Sequence, residues 1–153
     1  AHRMNVPQEL AEYKLERAEL AIALPPDWKL DEESMKDERW YWPFHLLKDL
    51  ARLPIANDTW LGFGHTTDNQ GEFAKGTMLC AALLTAPQGT EEGSEVCALP
   101  GGEEVNFYQV IPLYRDELEY KLEHGVDALL DKMAGISFVV DPARQDAITS
   151  GGL

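Results

Sequence analysis

Positive charge, cysteine and long apolar runs are all scarce in this chain, and each shortage excludes a class of function. Thirteen Lys and Arg stand against 27 Asp and Glu, a formal net charge of −14 at pH 7 over 153 residues. Nucleic-acid binding draws much of its affinity from Lys and Arg neutralising phosphates, so this balance argues against a nucleic-acid partner. Attraction to an anionic membrane surface needs the same cations. No stretch approaches the ~20 consecutive apolar residues of a membrane span, and residues 1–20 lack the layout of a secretory signal. Cys80 and Cys97 are the whole cysteine complement. Two cysteines without a secretion signal read as free thiols in a reducing compartment, packed as small hydrophobes. The expected location is the cytoplasm.

Catalytic and metal-binding motifs are missing too. His2, His45, His65 and His124 lie far apart, with no H-x-x-x-H pair for a helical zinc site. Cys80 and Cys97 belong to no C-x-x-C, so a structural zinc site lacks ligands. Gly62-Phe63-Gly64 lacks the third glycine of a dinucleotide loop, and there is neither a G-x-S-x-G elbow nor a phosphate-binding P-loop. The expectation is a chain with no cofactor, no metal and no catalytic residue.

What the chain does have is enough apolar material, 44% of residues, to close a core without staples at this length. One domain, 1–153, is the default. The acidity is uneven. Residues 61–110 carry seven acidic side chains against Lys75 alone, and Glu91, Glu92, Glu95, Glu103 and Glu104 fall in a stretch without any cation. Such a stretch serves solubility first, and in a sharper reading it steers a basic partner.

Periodicity gives an α+β, mixed α/β order. Leu20, Ile22 and Leu24 alternate as a half-buried strand over 17–24, closed by Pro25-Pro26. A charged stretch from Asp31 can begin a helix. A second segment opens at Trp40, holds Pro43 in its first turn, carries Leu46, Leu47, Leu50 and Leu53, and stops at Pro54. Residues 60–67 read as β, 68–71 as a turn, and 77–84 as a strand buried on both faces. A short strand is expected at 95–99, and 104–112 alternates with one face more apolar than the other. A helix over 114–124 would place Leu118 and Leu122 on one face, with Gly125 at its end. Val126, Leu129, Leu130 and Met133 form a second helical stripe, ended by Gly135, and 136–140 reads as a final strand. The architecture expected is a mixed sheet flanked by helices.

Two groups of residues stand out as sites. Gly64, His65, Thr66 and Asp68 lie where a strand ends, and His65 near Asp68 would make an oriented base. The plainer reading is a turn whose polar side chains satisfy backbone groups. Trp40, Tyr41, Trp42 and Trp60 are dense enough to be packing residues, and they are also of the type enriched at binding hot spots.

Taken in order, the motifs resemble the suppressor of fused family. The matching residues are Glu19-Leu-Ala-Ile-Ala-Leu-Pro-Pro-Asp-Trp28, Tyr41-Trp42-Pro43, Leu50-Ala51-Arg52 and Trp60-Leu-Gly-Phe-Gly-His65-Thr66. The Leu83-Leu84 strand end, Phe107-Tyr-Gln-Val-Ile-Pro-Leu-Tyr114, Glu117-Leu118-Glu119-Tyr120, Gly125-Val-Asp-Ala-Leu-Leu130 and Asp141-Pro-Ala-Arg144 continue the match. The resemblance implies a mixed α/β domain without known catalytic activity. Animal relatives restrain Gli transcription factors in Hedgehog signalling, holding a short peptide partly by strand addition. Similar bacterial single domains are expected to be immunity proteins that neutralise toxins, and the short chain places this one with them. Two departures qualify the match. Animal members carry an acidic residue where Gly64 stands, which puts Gli-type recognition in doubt. The family's domain also begins some tens of residues upstream of Ala1, so the chain is expected to lack its N-terminal portion.

The resulting expectation is a protein-binding domain for a basic protein or peptide. Trp40, Tyr41, Trp42, Trp60, Gly64, His65, Thr66 and Asp68 would anchor the partner, and Glu91, Glu92, Glu103 and Glu104 would steer it. The partner class expected is a toxin, with a regulator held by strand addition as the alternative.

Overall fold

The computed structural model describes residues 4–9, 15, 17–86, 96–98, 100, 102, 104–134 and 136–148. The strands are β1 (Arg17–Ala21), β2 (Thr66–Asp68), β3 (Ala81–Thr85), β4 (Val96–Ala98) and β5 (Glu104–Leu113), and the helices are α1 (Glu38–Asn57), α2 (Arg115–His124) and α3 (Val126–Lys132). One sheet runs β1-β5-β3-β2, with β4 pairing the first residues of β5, Glu104–Asn106, ahead of the Gln109–Leu113 stretch that pairs β3. β1 lies parallel to β5, while β3 and β4 pair β5 antiparallel and β2 pairs β3 antiparallel. The sheet is therefore mixed, as the α+β reading requires.

The two central strands explain the layers. All five β3 residues are buried, and so are the last six of β5. That is the continuous apolar signature of a strand covered on both faces. Ala82, Leu84, Tyr108 and Val110 face α1, where they meet Trp28, Trp42, Leu46 and Leu50. Ala81, Leu83, Ile111 and Leu113 face the other way and meet Leu118, Leu129 and Met133 of the α2–α3 layer. Period two in the strands thus splits one sheet between two cores.

Several expectations shift. The strand at 17–24 stops at Ala21, and only Ala23 continues, in a parallel bridge to Val139. That bridge is what the final strand at 136–140 becomes. The charged stretch makes one 3-10 turn at Ser34–Lys36, and α1 begins at Glu38, where Asp37 accepts the Arg39 N–H at 3.0 Å as an N-cap. Pro43 then lies past the first turn. Pro54 sits inside the last turns and does not end the helix; its carbonyl still accepts from Thr59 N at 3.0 Å. Both prolines are buried, so packing on the apolar face offsets the hydrogen bonds they cannot donate. Leu118 is buried but Leu122 is 68% exposed, so α2 presents Glu117 and Leu118 to the sheet. The expected strand over 60–67 shrinks to Thr66–Asp68 behind a tight loop. Cys80 is buried and Cys97 exposed, both as free thiols, so the second is not the packed hydrophobe expected.

Candidate functional site

The loop leading into β2 is built around two glycines and a histidine. His65 N–H donates to Gly62 O at 3.1 Å and the Gly62 N–H donates to His65 Nδ1 at 3.2 Å, closing a tight turn. Gly64 takes φ +83°, where a side chain is strained, and a Cβ there would sit 3.3 Å from Val126 of α3. Glycine is dictated at this position by backbone and space. Gly64 N–H and Leu84 N–H exchange bonds with Leu84 O and His65 O at 2.8 and 2.9 Å, which extends the β2–β3 pairing.

The His65 ring lies edge-on to Trp60, with centroids 4.5 Å apart. Burial pushes the imidazole pKa down, the Lys121 charge pushes it the same way, and a bond to the Trp60 backbone opposes both. With Nδ1 accepting from Gly62, the neutral tautomer carries its proton on Nε2. Lys121 Nζ reaches Thr66 Oγ1 at 3.5 Å. His65 and Asp68 have separate partners. Asp68 accepts a bidentate pair from Arg115 at 2.7 and 2.8 Å and the Gln70 N–H at 2.7 Å. These bonds hold its carboxyl at about 2. The oriented-base arrangement is therefore not what these side chains form.

The aromatic candidates separate as well. Trp42 is a core residue at 2% exposure, stacked on Phe73 at 5.1 Å and 2°. Trp40 is half-buried and meets Trp28 edge-on at 5.2 Å, and Trp28 Nε1 donates to Trp40 O at 2.9 Å. Trp28, not singled out beforehand, is the hub joining Trp40 to Trp42. Tyr41 stays at the surface of α1, stacked on Phe44 at 5.9 Å and tilted against His45 at 6.2 Å. Trp60 stays with His65, away from this cluster's ring contacts. Glu104 opens β5 opposite Ala98. Glu91, Glu92 and Glu103 lie outside the described residues.

Sequence reasoning also passed over a buried ion pair. Glu117 is 0% exposed and its two oxygens accept from Tyr114 N, Ala147 N and the Arg144 guanidinium. Arg144 also donates to Pro112 O at 3.0 Å and lies over the Tyr114 ring. No periodic pattern links positions 27 apart in the chain; only the motifs containing them carried a signal. Among the described residues no group of His, Cys, Asp and Glu is placed to hold a metal ion, and no helix is long and apolar enough to cross a membrane.

Comparison with known proteins gives the context. The family model described as Suppressor of fused protein (SUFU) matches residues 1–145. A protein of Ureaplasma parvum serovar 3 is 30% identical over 115 residues, covering 74% of this chain and 54% of the relative. The chain thus spans about half the length of that curated relative. Among solved structures, the Sufu–Fu complex aligns with TM-score 0.60 at 18% identity, over 71% of this chain and 46% of that one. Drosophila Suppressor of Fused gives 0.60 at 19%, over 71% and 26%. A suppressor of fused homologue from Neisseria gonorrhoeae gives 0.56 at 19%, over 69% and 56%. At these identities the solved structures speak for the fold.

Proposed function

The chain belongs to the suppressor of fused family, and from that premise we propose that it is a non-enzymatic binding domain that neutralises a basic protein toxin. The observation that carries the reading is the charge of −14 on a chain of 153 residues. A toxin that attacks nucleic acid must present a positive surface, and an acidic domain can both steer onto that surface and cover it. The geometry supports binding over turnover: His65 is tied into its own loop and Asp68 is taken by Arg115. The test is titration calorimetry of the whole chain against toxin domains encoded beside its gene, at ~20 and ~300 mM salt, a range over which the screening length shrinks severalfold. Tight binding that weakens with salt is expected. No binding to any of them at the lower salt would refute the reading.

A second reading is a regulator held through a short peptide. It is favoured by a solved relative being a complex, that of Sufu with Fu. A peptide array returning one linear motif, with binding indifferent to salt, would select it over the first.

A further inference from the structure

Two of the described histidines, His45 and His124, lie beside carboxylates at the surface. His65 is set differently, with its ring built into the backbone of its own turn. Nδ1 accepts the Gly62 N–H at 3.2 Å while the His65 N–H donates to Gly62 O at 3.1 Å, so residues 62 and 65 are clasped twice. The first clasp depends on protonation state. A neutral imidazole offers a lone pair at Nδ1, whereas an imidazolium is a donor at both nitrogens. Protonation therefore sets N–H against N–H and leaves the Gly62 N–H without its acceptor.

The surroundings of the ring favour the neutral, clasped form. It lies edge-on to Trp60, and a Cβ on Gly62 would come within 2.7 Å of that indole, so ring, indole and backbone are close-packed. α2 faces the ring with the Lys121 ammonium, which repels an imidazolium and also reaches Thr66 Oγ1 at 3.5 Å. β3 carries no titratable side chain, α3 meets the loop through Val126, and Tyr108 of β5 bonds the Phe63 backbone. Asp68, three positions on, is taken by Arg115. Against these, a bond to the Trp60 backbone favours the charged ring, which gives an imidazolium a partner once Gly62 is released. Burial and Lys121 outweigh that bond, so the ring takes up its proton below the ordinary 6.5. The clasp is thus complete above 6.5 and is lost as pH falls through the lowered folded value.

The flanking backbone decides what moves. Gly64 N–H and His65 O are bonded to Leu84 of β3 at 2.8 and 2.9 Å, which pins the far half of the turn to the sheet. Phe63, between the clasped residues and the pinned ones, is 50% exposed. We propose that His65 is a proton-operated clasp: neutral, it closes the 62–65 turn, and protonated, it releases the Gly62 N–H, so that mild acid loosens the segment presenting Phe63 while the Leu84 anchor holds. The device is independent of which partner the domain takes.

The test is NMR of the whole chain from pH ~8 to ~5, the range in which histidine titrates. Gly62 amide exchange, corrected for its intrinsic pH dependence, should quicken about fivefold across the His65 titration, the worth of one net hydrogen bond. The Gly64 and Leu84 amides should stay protected, and the Trp60 indole N–H should shift with the His65 midpoint. His65→Asn puts a carboxamide oxygen where Nδ1 stands and cannot take up a proton, so its Gly62 amide should ignore pH. Lys121→Gln removes a repulsion and should raise the midpoint. It leaves the bonds of the turn intact, so its midpoint decides the matter even where the Asn variant fails to close the turn. A Gly62 amide still protected after His65 has titrated, a ring still neutral at the acid end, a response that survives in His65→Asn, or a Lys121→Gln midpoint that stays or falls would each overturn the proposal.

Discussion

The Arg115 guanidinium grips both oxygens of Asp68 while the Gln70 N–H adds a third donor, and the carboxyl falls from 3.8 to about 2. A carboxyl depressed in the folded state contributes stability that is present above its unfolded value and lost as pH falls through its folded value. For Asp68 that window runs from 3.8 down to about 2. Arg115→Ala removes the largest cause, so the Asp68 side-chain carbon should titrate close to the ordinary carboxylate range in a ¹³C NMR pH series. The two partners are 47 residues apart, in β2 and the first turn of α2. From sequence alone Asp68 is legible as a turn residue, since its Oδ1 does accept the Gln70 N–H. The guanidinium that dominates it belongs to the tertiary fold, beyond what local chemistry encodes. A titration of Asp68 left unmoved in the Arg115→Ala variant would sever this account.

Elements were legible where burial is one-sided or total and the pattern is therefore strong. The β3 run, the Val126–Met133 stripe and the leucines of α1 all announce themselves by period or by continuous apolarity. α1 also shows where that signal fails. Pro54 read as a stop and Pro43 as a first-turn residue, yet both are absorbed inside a 20-residue helix because the side that carries them is buried. The C-terminal segment was least legible, because contacts distant in sequence, and not a periodic pattern, fix it. Glu117 in α2 receives Arg144 and the Ala147 N–H, and separately Thr77 Oγ1 donates to Pro142 O and Val140 N–H donates to Ala23 O. Removing one partner of a buried, fully bonded pair leaves an uncompensated charge and costs ~3–5 kcal/mol. Arg144→Ala should therefore lower the unfolding free energy from urea denaturation by ~3–5 kcal/mol, with the midpoint falling in proportion, and amide exchange over 136–148 should accelerate ahead of β3 and β5. Exchange that stays uniform across these regions would show that the pair does not fasten the segment.

At the scale of the whole molecule, the same charge that suits a basic partner acts against the fold. Fourteen uncompensated negative charges on a chain of 153 residues repel one another when it folds, and unfolding lets them separate. Opposing this are surface pairs such as Lys36–Glu33 and Arg39–Asp37, both well exposed, and exposed pairs contribute ~0–1 kcal/mol each. The buried Glu117–Arg144 pair is shielded from ions and responds little to salt. Self-repulsion is therefore the term that screening changes most. Raising salt from ~10 to ~100 mM shortens the Debye length from ~30 to ~10 Å, so like charges more than ~10 Å apart stop repelling strongly. The melting temperature of the free chain should rise over that range, while its affinity for a basic partner falls, because screening weakens repulsion within the chain and attraction between the two by the same mechanism. Differential scanning calorimetry at a series of chloride concentrations checks the first half, and the titration against the partner checks the second. A melting temperature that drops with salt would mean that attractive pairs, not the excess of like charge, govern the electrostatics of this protein, and the charge argument for a basic partner would lose its footing with it.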